Sequence, residues 1–157
     1  MSAEVLVELH PSPGRRIFSA MTMGMLAAIL IYLSLLIAPD FLLSALFLLA
    51  GLATGWLAWW QFQSSATVIE LTREVLATRE GDVLARVQDI ERVERGVFAM
   101  KPSQGFLLRL VDPQPRAYVP GVYWRIGRRL GIGGITNSGQ AKAMAQTLEA
   151  LIAEREA

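Results

Sequence analysis

The chain of 157 residues has no cysteine and a single histidine, His10. The first absence removes disulfides, thiol chemistry and cysteine metal sites, and fits a reducing compartment. The second rules out a multi-histidine metal centre and leaves a Ser-His-Asp triad only one imidazole, in the N-terminal arm, to draw on. The most consequential absence is of charge. Between Arg16 and Glu70 the only formal charge is Asp40, directly after Pro39.

That gap holds two charge-free runs, residues 17 to 39 and 41 to 69. A helix needs roughly 20 apolar residues to cross a hydrocarbon core, so each run is long enough to span. In lipid a single segment satisfies its backbone hydrogen bonds only as a helix. The sequence therefore predicts a transmembrane helical hairpin over 17 to 62, with helices at 17 to 38 and 41 to 62. Pro39 disfavours helix at Ala38, and Asp40 is placed to cap the second helix. The first run is too long for a signal-peptide core and is followed at once by the second, so both are expected to persist. Basic residues flank the outer ends, Arg15 and Arg16 before the first helix and Arg73 and Arg79 after the second, while the turn between has none. The positive-inside rule then assigns both termini to the cytoplasm.

Two features of the hairpin invite a functional reading. Gly51 and Gly55 form G-x-x-x-G, which lets helices approach closely. They serve a self-dimer, a partner helix, or the first helix near Gly24, Ala27 and Ala28. Trp56, Trp59 and Trp60, with Phe62, gather near the cytoplasmic end, where amphipathic rings prefer the interface. An aromatic belt is the simplest reading, and a pigment or quinone pocket the more elaborate one.

Composition changes beyond Phe62. Thirteen of the fifteen Lys and Arg residues and eleven of the fourteen Asp and Glu residues lie there, giving a water-exposed segment of formal charge about +2, too near neutral to argue for nucleic acid. Residues 1 to 16 read as an arm, strand-like at 5 to 9. Residues 63 to 157 read as one small domain of about six or seven short strands, at 67 to 71, 75 to 78, 83 to 87, 90 to 93, 105 to 111, 116 to 119 and 122 to 126. Pro113 with Pro115 is expected to break the chain between the fifth and sixth of these. Asn137 is placed to cap a terminal helix at 138 to 155, with Gln140 reaching back as a capping box. The apolar positions of that helix, Ala141, Met144, Ala145, Leu148, Leu151 and Ile152, form one stripe.

The segments 68 to 72 (VIELT), 75 to 81 (VLATREG) and 89 to 96 (DIERVERG), closed by 131 to 145 (GIGGITNSGQAKAMA), resemble the bacterial pleckstrin-homology-like domains that follow membrane hairpins. The resemblance covers residues 65 to 155. It implies a bent antiparallel barrel or sandwich capped at one end by the C-terminal helix. Some members of that family resemble assembly proteins of photosynthetic or respiratory complexes, and no catalytic residues carry over.

Within this domain Tyr123, Trp124, Arg125, Arg128 and Arg129 interleave aromatic and basic side chains. They read as a grip on anionic headgroups or a protein partner, or as an edge strand with a solvated basic face and a core tryptophan. Residues 134 to 139 (GITNSG) have phosphate-loop spacing, but Gln140 and Ala141 stand where Lys and Ser or Thr are required. Asp89, Glu91 and Glu94 alternate with Arg92 and Arg95 as a solvated face rather than an acid–base pair. The expectation is a non-enzymatic protein of the bacterial inner membrane, without cofactor or metal. It would act as accessory subunit, stabiliser or assembly factor of a larger membrane complex, or associate with itself. The alternative is a tethered lipid-headgroup-binding module with no fixed protein partner.

Overall fold

A computed structural model describes residues 4 to 37, 39 to 95 and 103 to 157. It divides into two compact units, Pro13–Ser64 and the combination of Met1–Ser12 with Ser65–Ala157. Ala38, which the sequence places at the end of the first helix, and residues 96 to 102, which include Gly96 of the DIERVERG motif, lie outside the described residues.

The first unit is a pair of helices, α1 (Pro13–Leu36) and α2 (Phe41–Ser64), both long and apolar enough to cross a membrane. Helix α1 begins four residues before the expected start, because Pro13 takes a first-turn position where its missing N–H costs nothing. Asp40 starts α2 as expected: its carboxylate accepts from the Leu43 amide at 2.8 Å and its carbonyl from the Ser44 amide at 3.0 Å. Near the turn Ser34 and Ser44 exchange hydroxyl-to-carbonyl hydrogen bonds, each 2.7 Å. Toward the open end Gln61 Nε2 donates to Ser19 Oγ at 2.7 Å. Polar contacts thus fix the register at both ends of the hairpin. Only 11% of the apolar window of each helix is buried, unlike the core helices of a water-soluble protein.

The second unit holds two open antiparallel sheets. One has the order β1 (Val7–Leu9), β2 (Ile69–Leu71), β3 (Val75–Thr78), β4 (Val83–Arg86), and the other β5 (Ile90–Glu94), β6 (Phe106–Val119), β7 (Tyr123–Ile132). Helix α3 (Ser138–Glu156) packs on β1, β5 and β6. Its stripe of Ala141, Met144, Ala145, Leu148 and Ile152 is buried against Leu9, Ile90, Phe106 and their neighbours in one core. Burial alternates along the short strands, as at Ile69, Glu70 and Leu71, because successive side chains face opposite ways.

Three features depart from expectation. The arm is a strand of the domain: Leu9 is fully buried opposite Ile69, and Val7 pairs with Leu71. The helical hairpin is therefore inserted into the connection between two adjacent strands. Next, Pro113 and Pro115 do not break β6. Strand β5 covers β6 only as far as Leu110, so beyond it β6 has, among the described residues, a partner strand on one side only. The register shifts between Arg109 and Ala117, and bulged, half-paired backbone tolerates the missing N–H groups. Finally, Asn137 caps α3 by accepting from Gly139 N at 2.9 Å and Gln140 N at 3.4 Å, but Gln140 does not reach back. The Asn137 amide already donates to the His10 carbonyl, and Gln140 Oε1 accepts from the His10 amide at 2.9 Å. A local capping box has become a tie between α3 and the end of β1.

Candidate functional site

Gly51 lies on the seam between α1 and α2. A Cβ there would stand 2.8 Å from Ile31 Cγ1, 3.1 Å from the Ala27 carbonyl oxygen and 3.2 Å from Ile31 N. At Gly55 it would meet Ala27 Cβ at 3.7 Å, an ordinary contact. The G-x-x-x-G face is thus occupied by α1 at Ala27 and Ile31. Gly24 and Ala28 are not its partners: a Cβ at Gly24 meets nothing within 4 Å, and Ala28 is exposed, about 100° round the helix from buried Ala27.

At the open end Arg16 donates to the Phe62 carbonyl at 2.8 Å, and its guanidinium stands 4.8 Å over the Phe62 ring. This ties the last turn of α2 to the first turn of α1. Arg15 beside it is half-buried. Trp56 and Trp60 stack at 6.4 Å on one face of α2, and with Trp59 they point outward, the disposition of an aromatic girdle.

In the sheet unit the aromatic and basic cluster divides between faces. Tyr123 enters the core, where burial pushes its phenol above the usual tyrosine range. Arg125, on the same side of β7, donates from Nε to the Pro115 carbonyl at 2.8 Å and from Nη1 to the Leu84 carbonyl at 2.7 Å. It therefore clasps the edge of the first sheet to the second and is not a free cation. Trp124 points the other way, its indole lying where Gly131 lacks a side chain. Arg128 and Arg129 are exposed, and Arg129 stands opposite Arg109, itself opposite Arg92. Glu91 and Glu94 compensate this row through ion pairs with Arg109 and Arg92.

The structure adds three residues to the cluster. Tyr118 pairs directly with Trp124, and Arg116, Ala117 and Tyr118 with Trp124, Arg125 and Ile126 line one shallow groove of about 260 Å³. Tyr118 and Ile126 are 64% and 53% exposed. The signal for them was the Pro120–Gly121 pair. Gly121 at φ 74° and the Val122 N to Val119 O hydrogen bond form a turn with Pro and Gly at its central positions, and counting back from it sets the pairing.

The glycine-rich segment has a packing explanation. A Cβ at Gly134 would stand 2.8 Å from the Gly121 carbonyl oxygen, so this residue serves a close backbone approach. His10 Nε2 lies 2.9 Å from Glu8 Oε2, which also pairs with Arg79, and Arg79 in turn pairs with Glu70. The His10 hydrogen bond, reinforced by Arg79, holds the Glu8 carboxyl below its ordinary range. Among the described residues no group of three or more His, Asp or Glu is gathered as a metal site would need. Comparison with protein-family models, curated proteins and solved structures finds no match.

Proposed function

We propose that this chain is a non-enzymatic integral protein of the bacterial inner membrane. Its hairpin anchors a pleckstrin-homology-like domain at the cytoplasmic surface, and it acts as accessory subunit, stabiliser or assembly factor of a larger membrane complex. The observation that carries the reading is the insertion of the hairpin between β1 and β2. A domain joined to an anchor by one linker can wander. One with its anchor inserted between two paired strands is joined to it at two points of the chain, which suits presenting a surface to a partner. Four and three antiparallel strands with a packed terminal helix support the pleckstrin-homology-like reading, and Arg15, Arg16, Arg73 and Arg79 support cytoplasmic termini. With Gly51 and Gly55 engaged by α1, lateral contact with a partner falls to the outward faces of the helices.

The test is gentle detergent extraction from native membranes, followed by mass spectrometry of co-purifying chains. A stoichiometric membrane-protein partner is expected. Recovery as a lone monomer carrying anionic lipid would refute the accessory role and favour a headgroup-binding module.

A further inference from the structure

We infer that the cavity beside the C-terminal turns of α3 is a docking site for a short acidic peptide segment of a protein partner, held by Arg73 and Arg86. The cavity measures about 760 Å³, within the range of about 300–1,000 Å³ typical of ligand clefts. Three elements wall it: the β2–β3 turn, the end of β4 with the 3₁₀ turn Val87–Asp89 that follows it, and the last turns of α3. Each wall is fixed by hydrogen bonds. Thr72 Oγ1 accepts from the amides of Glu74 at 3.3 Å and Val75 at 3.0 Å, which sets the turn. The Val87 amide donates to the Glu74 carbonyl at 2.8 Å, and Arg155 Nη1 donates to the Gln88 carbonyl at 2.8 Å and the Ile90 carbonyl at 3.2 Å. The site is therefore pre-formed, and a ligand is spared the cost of ordering it.

The charges on these walls are uncommitted. Among the described residues neither Arg73 nor Arg86 has a carboxylate partner or a side-chain hydrogen bond, whereas Arg79 and Arg92 are both ion-paired. Glu74 and Glu154 line the same cavity and do not pair with them. Charged side chains that share a cavity without meeting one another leave donors and acceptors for a ligand. Arg86 lies directly opposite Val75 on β3, so a guanidinium stands beside an apolar side chain, and half-buried Leu151 extends that apolar floor. A lone phosphate would fill little of this space and would face both glutamates. An extended peptide of a few residues fills it: two carboxylates meet the guanidinium groups in forked hydrogen bonds, an apolar side chain between them rests on Val75 and Leu151, and backbone amides suit the glutamates. Arg155, already held by backbone carbonyls, adds positive charge without having to move. The site lies wholly within the sheet unit, so the inference goes beyond the accessory role and does not depend on how the domain meets a membrane.

The test uses the full chain in a neutral detergent and a library of fluorescent short peptides, each with two glutamates flanking one varied residue, read by anisotropy. Peptides with Leu, Ile or Val between the glutamates should bind, and replacing both glutamates with glutamine should abolish binding. Arg73→Gln and Arg86→Gln should each weaken the selected peptides about tenfold, and added salt should weaken them further. Both side chains are exposed and unpaired, so the thermal midpoint of either variant should match the parent chain. Arg128→Gln combined with Arg129→Gln removes as much charge elsewhere on the sheet unit and should leave binding unchanged. A library in which no peptide binds would overturn the inference, as would binding that the Arg128 and Arg129 changes weaken as much as the Arg73 and Arg86 changes do. Inorganic phosphate and phosphatidylglycerol vesicles are tested in parallel. Binding of either that depends on Arg73 and Arg86, with no such dependence for any peptide, would also overturn it and assign the site to a small anion or a headgroup. The co-purification result is separate: a lone monomer there would refute the accessory role without emptying this site, and failure here would leave that role to other surfaces.

Discussion

Gly51 offers the sharpest test of the hairpin. An added Cβ would stand 2.8 Å from Ile31 Cγ1, where carbon atoms prefer about 3.5–4.0 Å. The Ile31 side chain can turn aside, but the Ala27 carbonyl oxygen and Ile31 N at 3.1 and 3.2 Å are backbone, so the helices must separate by a few tenths of an ångström. Overpacking of this kind costs about 1–3 kcal/mol. Alanine also favours helix over glycine by about 1 kcal/mol in water, which would mask part of the effect in one variant. Comparison of three positions cancels that term: Gly51→Ala should be about 1–3 kcal/mol less stable than Gly55→Ala, with room at 3.7 Å, or Gly24→Ala, in open space. Gly51→Leu should open the hairpin. Energy transfer between dyes on cysteines introduced at exposed Phe18 and Gln63 would report opening during titration with dodecyl sulfate. Equal midpoints for the three alanine variants would refute the packing argument, since helix propensity alone treats them alike.

The sheet unit yields further expectations. Leu9→Ala should destabilise it by about 2–4 kcal/mol, read by thermal unfolding followed by circular dichroism, because a fully buried side chain of the core is removed; an unchanged midpoint would mean that β1 is dispensable. Arg125→Ala should cost about 1–2 kcal/mol by losing charged hydrogen bonds to Leu84 and Pro115, whereas Arg128→Ala should stay within about 0.5 kcal/mol in the same assay. Asn137→Ala should cost about 1 kcal/mol through loss of the α3 cap, and Asn137→Asp should largely restore it. The lowered carboxyl of Glu8 stabilises the folded form above the ordinary carboxylate range, and this stabilisation is lost as pH falls through its folded value. Between about pH 5 and pH 3 the melting temperature of Glu8→Gln should therefore fall less steeply than that of the parent chain. Parallel curves would count against the His10–Glu8–Arg79 network.

The two apolar helices and the α3 stripe were readable because their signals are local and repeat within a few turns. Asp40 and Asn137 were readable for the same reason, since a cap acts within three residues of itself. Strand β6 was misjudged because the cost of a proline depends on whether that stretch of strand has partners on both sides, and β5 leaves β6 beyond Leu110 half-paired. The Tyr123 to Arg129 cluster was seen as one surface because its residues are neighbours in sequence. Alternation along β7 sends Tyr123 and Arg125 one way and Trp124 the other, and the exposed face is completed by Arg116 and Tyr118 from across the turn.

The arm shows most clearly why some of the fold escapes a local reading. The strand-like character of residues 5 to 9 was legible, but not their membership of the sheet, because their partner Ile69–Leu71 lies beyond the whole helical hairpin. A flexible connection that long would disfavour pairing by loop entropy. Here the connection is two rigid helices joined by a tight turn and fastened at Ser34–Ser44 and Gln61–Ser19, so its ends return close together. The Arg16–Phe62 tie holds them there. The closed ends of the hairpin then favour the pairing of β1 with β2: changes at Ser19 or Gln61 that loosen the open end should weaken protection of the Leu71 carbonyl partner, the Leu6 amide, in hydrogen exchange before they touch the amides of β6 and β7. Simultaneous loss across all strands would show instead that β1 is held by the core at Leu9 and owes nothing to the helices.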